Sequence, residues 1–121
     1  MCASLTERLF YAERGMYIAE FRKQVRREDG PVASPFARLV SRAYSQCEQA
    51  ETRMKEMAGQ TQSALTAYRV SLTEGHKLPY ADSVRSAMNQ LTLLTVTFEV
   101  AFEALRDALH IYGQEQGERA K

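Results

Sequence analysis

The chain has 121 residues, 45% of them hydrophobic and 26% charged, and its 16 Lys and Arg against 15 Asp and Glu leave a formal net charge of +1. That length fits one domain with a sizeable core, and the near balance of charge excludes a protein held on nucleic acid by a strong overall positive field. Charges or threonines interrupt every apolar stretch well before the roughly 18 residues that a membrane helix needs, so no membrane partner is expected.

The first seven residues, Met1 to Glu7, lack the basic head and apolar run of a secretory signal, and the cytoplasm is the expected compartment. Ser4 and Glu7 form a capping-box pair that starts a first helix, and Gly30-Pro31 stops it, which predicts helix one over 5–28. It carries two apolar rows, Leu5, Leu9, Ala12, Met16 and Ala19 on one side and Phe10, Tyr17, Ile18, Phe21 and Val25 on another.

Ser34-Pro35 supplies an N-cap followed by proline at the first helical position, where a missing N–H costs nothing. From there Phe36, Val40, Ala43, Cys47, Ala50, Met54, Met57, Thr61, Ala64, Tyr68 and Leu72 recur four and three residues apart. This is a coiled-coil seam of about five heptads, predicting helix two over 35–74. Gly75 to Pro79 turns the chain. Helix three is expected over 80–112, with the same spacing in Val84, Met88, Leu91, Thr95, Phe98, Phe102, Leu105, Leu109 and Tyr112 and a frayed tail over 113–121. Between 91 and 105 this helix is apolar on most sides, so it needs cover on most sides; its threonines at 92, 95 and 97 make a strand the rival reading.

The fold class expected is therefore all-α: three helices, with an N-terminal helix packed on a long antiparallel hairpin, completed by oligomerisation. Helix lengths carry the last point. At 1.5 Å per residue, helix two spans about 60 Å, helix one about 36 Å and helix three about 48 Å. Helix one should reach only the level of Ala58, and helix three should reach back only to Arg42. The near end, around Phe21, Val25, Phe36 and Leu39, then lacks a helix, and so does the far end of the hairpin. Open rows of this kind expose several hundred square ångströms of apolar surface at about 25 cal/mol per Å². The alternative is a helix two broken at Gly59, which would fold the chain into a four-helix monomer.

Leu65, Tyr68, Leu72, Val84, Met88 and Leu91 are accordingly the candidate partner-binding residues, facing a second copy or an amphipathic helix of another protein. A second candidate is the basic cluster Arg22, Lys23, Arg26 and Arg27 at the end of helix one, which Arg38 and Arg42 could extend and which could grip nucleic acid or another polyanion. The bland reading of that cluster is complementation of a helix dipole.

Glu99, Glu103, Asp107 and His110 form a column on helix three without the Glu-x-x-His pairs of di-iron bundles. It is expected to face arginines such as Arg8 and Arg14, and no metal or cofactor is expected. Cys47 is expected to be a small buried hydrophobe. Arg106-Asp107-Ala108-Leu109-His110 resembles, over five residues, the Arg-x(4 to 6)-His motif of the HEPN ribonucleases, which are also helical bundles. The resemblance would imply RNA cleavage by Arg106 and His110, and the spacer here is one residue shorter than the motif requires. The expected role is non-enzymatic: a helical interaction module such as an adaptor, a chaperone or a subunit of a larger complex, with polyanion binding as the alternative.

Overall fold

The computed structural model describes residues 3–30, 34–75 and 78–120, and within them the chain forms four helices: α1 (Leu5–Arg14), α2 (Ile18–Asp29), α3 (Pro35–Glu74) and α4 (Leu78–Ala120). α3 and α4 pack against each other as a long hairpin, and α1 and α2 lie on one face of its proximal half. The molecule is an all-α helical bundle, and no described helix is long and apolar enough to cross a membrane.

The expected count of three helices is corrected to four, because helix one breaks at Gly15. Its φ of +69° caps α1 in the left-handed conformation, with the Gly15 N–H donating to the Tyr11 carbonyl. A side chain at that φ is strained and glycine is not. The two apolar rows read along 5–28 do not survive the break: Phe10 on α1 and Phe21 and Val25 on α2 are buried, whereas Leu5, Ala12, Tyr17 and Ala19 are exposed. Phe10 from α1 and Phe21 from α2 meet edge to face with ring centroids 5.3 Å apart. Phe10 also meets Tyr44 of α3, and Phe21 meets Tyr112 of α4, at 5.5 and 5.2 Å. This aromatic knot ties all four helices together and is worth more than its buried area alone.

α1 has an unusual N-terminus. The first four N–H groups of a helix have no partner within it. Here Leu5 N–H and Thr6 N–H donate to the two carboxylate oxygens of Glu51 on α3, at 2.8 and 2.9 Å. Glu7 N–H donates to Ser4 Oγ, and Arg8 N–H to the Ser4 carbonyl. Glu51 also accepts the Thr6 hydroxyl at 2.6 Å and pairs with Lys55 at 2.9 Å. It is 2% exposed. Burial by itself would raise its pKa, but the Thr6 hydroxyl, Lys55 and the two backbone donors overcome that and bring it down to about 2.

α3 runs unbroken through Gly59, so the four-helix monomer made by a kink there is not formed. The four helices come from the break at Gly15 instead. Thr92, Thr95 and Thr97 are helical, with their hydroxyls bonded back to the carbonyls of Met88, Leu91 and Leu93. α4 continues past Tyr112 through Gly113 and Gly117 to Ala120. It therefore covers much of the near end that was expected to lack a helix, where Phe21 and Val25 are buried and Phe36 is half-buried, although Leu39 stays 44% exposed. The distal half has no such cover. α1 begins at the level of Glu51, below the expected level of Ala58, and beyond it α3 and α4 have only each other.

Candidate functional site

The groove between α3 and α4 is filled by α1 in the proximal half. Thr6 Oγ1 lies 3.3 Å from Cys47 Sγ, and Leu5 lines a hollow of about 270 Å³ with Phe98, Phe102 and Arg106. About five turns along the same stripes, near 27 Å further out, stand the predicted residues. Leu65 lies above Cys47 and Leu72 above Met54; Val84, Met88 and Leu91 lie above Phe102, Arg106 and Leu109. The six residues thus share the face that α1 occupies lower down. Met88 is 52% exposed, and Leu65 and Leu72 are each 43% exposed. Tyr68, Val84 and Leu91 are half-buried between the two helices. Ser71 is buried and donates to the Tyr68 carbonyl at 2.7 Å. Thr61, also buried, donates to the Met57 carbonyl. The floor of the open groove is therefore satisfied in its hydrogen bonding and apolar at its rims.

A second apolar face lies outside the predicted partner-binding residues. Leu93, Val96 and Val100 lie on the outer side of α4, away from α3, and are 69%, 52% and 66% exposed. Their sequence signal was the apolar circumference of 91–105. The structure covers only the half of that circumference that includes Phe98 and Leu105.

The basic cluster is divided. Arg22 turns inward along α3, donating to Ser41 Oγ at 3.1 Å and Ser45 Oγ at 3.2 Å. Arg22 and Arg26 line an open cleft of about 540 Å³ together with Arg38. Lys23 and Arg27 border a shallower hollow on the outer side of α2, which Arg26 also lines.

The column on α4 does not face arginines as expected. Glu103 pairs with Arg106 on its own helix at 3.3 Å, and Arg14 instead stacks over the Tyr112 ring, 4.8 Å from its centroid. His110 Nε2 lies 3.8 Å from Glu13 on α1. Arg106 lies over the Phe102 ring, so the two residues of the ribonuclease-like motif are engaged with different partners. Among the described residues no three His, Cys, Asp or Glu side chains converge. Cys47 is fully buried, and burial, partly opposed by the Thr6 hydroxyl, pushes its thiol pKa up, which keeps it protonated and unreactive. No known protein family, curated protein or solved structure matches the chain.

Proposed function

We propose that the chain is a non-enzymatic helix-packing module, an adaptor, chaperone or complex subunit of the cytoplasm, whose distal hairpin half is completed by a second copy of itself. One observation carries the reading: the face that α1 and α2 cover in the proximal half stands open in the distal half, with Leu65, Leu72 and Met88 exposed along it. α1 itself is the precedent, since it is a helix seated in the same groove.

A second copy fits the open half for a reason of length. From Met54 to Glu74 the uncovered hairpin is about 31 Å long, and the matching half of another molecule has the same length and the same apolar row. Two copies related by a two-fold axis would stack these halves as a four-helix, coiled-coil-like bundle, each tip abutting the α1 N-terminus of the other. The net charge of +1 opposes this little. Methionine at position 88 suits a surface that must adapt to its neighbour.

The test is the solution mass by light scattering over a wide concentration range, for the natural chain and for a Leu65→Glu/Met88→Glu variant. A dimer that becomes a monomer in the variant, with helical circular dichroism retained, supports the reading. A natural chain that stays monomeric at all concentrations, or a variant dimer as tight as the natural one, refutes it.

A further inference from the structure

The proximal end of the molecule carries an electrostatic arrangement that the fold does not account for. Between residues 20 and 45 there are six cations, Arg22, Lys23, Arg26, Arg27, Arg38 and Arg42, against three carboxylates. Arg26 and Arg27 lie in the last turn of α2, where the carbonyl end of the helix favours positive charge. Arg38 and Arg42 have no such reason to be where they are. Arg38 lies in the first turn of α3, a 40-residue helix with no acidic residue there, where the N–H end of the helix disfavours cations, and Arg42 follows one turn further in. None of the ion pairs among the described residues involves any of the six. The partners of Arg22 are two neutral serine hydroxyls, which orient its guanidinium without neutralising it.

Three of these arginines line one cleft. Arg22 and Arg26 form its α2 wall, Arg38 and Ser41 its α3 wall, and Phe21, Val25 and Ala37 its floor. A neighbouring hollow of about 620 Å³ shares Arg38 and Ser41 and adds Arg42. Arg22 and Arg26 are one turn apart on α2, as are Arg38 and Arg42 on α3, so each pair leaves its helix at two levels about 6 Å apart. Guanidinium forks match phosphate oxygens in pairs. The nearby rings are not available for base stacking: Phe21 is buried in the aromatic knot and Phe36 packs against the core. Recognition would therefore read phosphate groups rather than bases.

We infer that this cleft binds a compact oligophosphate, an anion with two or more linked phosphate groups, gripped by Arg22, Arg26 and Arg38 with Arg42 at its rim. The inference is independent of the self-association reading, because the cleft lies at the opposite end of the hairpin from the open groove.

The probe is sodium tripolyphosphate, titrated calorimetrically into the full chain at low salt, alongside inorganic phosphate and a single-stranded oligonucleotide. Tripolyphosphate should bind at one saturable site and raise the melting temperature, with inorganic phosphate at least about tenfold weaker. Arg26→Gln/Arg38→Gln should weaken it by about a hundredfold or more, since it removes two charge-assisted hydrogen-bonding groups, while Arg69→Gln on the distal part of α3 should not. With no ligand present, Arg38→Gln should melt no lower than the natural chain, because it removes a cation from the wrong end of a helix. Absence of saturable binding, equal weakening by Arg69→Gln, or tighter binding of the oligonucleotide than of tripolyphosphate overturns the inference. The last result would assign the patch to nucleic-acid strands instead.

Discussion

Acid should loosen the molecule first at the α1 N-terminus, and Glu51 sets the size of the effect. Its carboxylate is held at a pKa of about 2 against an ordinary 4.5. Each tenfold difference in proton affinity is worth about 1.4 kcal/mol, so ionised Glu51 contributes about 3 kcal/mol to the folded state. The folded pKa is the depressed one, so the contribution is fully present above about pH 5 and is lost as pH falls toward 2. Glu51→Gln keeps an acceptor for one of Leu5 N–H and Thr6 N–H, but it turns an NH₂ group toward the other donors and leaves Lys55 unpaired. It should cost about 3 kcal/mol at pH 7 and remove the acid-dependent part of the stability. Urea unfolding of both proteins from pH 7 to pH 2 measures this directly. Their stabilities should converge as pH falls, because the natural chain loses what the variant never had. Parallel curves across that range would falsify the assignment of Glu51 as the cap of α1.

Other positions give sharper local tests. Gly59 is helical, exposed, and has open space where a Cβ would go; Gly59→Ala should raise stability by up to about 1 kcal/mol, seen as a melting temperature a few degrees higher. Gly15→Ala should do the opposite, by roughly 1–2 kcal/mol, because the φ of +69° is left-handed. Phe10→Ala removes a ring that is 1% exposed and touches both Phe21 and Tyr44; a loss of about 3–5 kcal/mol in denaturant unfolding is expected. In a Cys2→Ser background, the Cys47 thiol should react with a thiol reagent only at the rate at which α1 opens, so Glu51→Gln should speed the reaction while mild urea adds little more to it.

Much of this fold is legible from residue spacing alone, and the failures have physical causes. Ser4, Ser34 and Gly75 act as caps where their chemistry places them, because capping is decided by a few neighbouring atoms. Gly15 had the same local signature, a glycine just after Arg14, but apolar positions continue on both sides of it and concealed the break. The end of α4 was misread for the converse reason. Gly113 looks like a stop, yet a helix that still has Tyr112 buried among Phe21 and Arg14 can absorb about 1 kcal/mol for a glycine. Glu51 was invisible as a cap because its partners are far away in sequence. The open groove was legible because it follows from helix lengths, whereas the cleft at Arg22, Arg26 and Arg38 depends on the angle at which α2 meets α3, which no periodicity encodes.

The cap on α1 also orders events in time. A ribosome makes α1 and α2 before α3 and α4, but Leu5 and Thr6 find their acceptor only once residue 51 has emerged, and Phe21 finds Tyr112 only later still. Neither α1 nor α2, at 10 and 12 residues, is long enough to persist alone in water. Within this chain α1 and α2 are thus made before the residues that hold them, and they can settle only where the α3–α4 hairpin is there to receive them. Until then a nascent chain presents Phe10 and Phe21 unburied, and the groove that they will fill stands empty along its whole length.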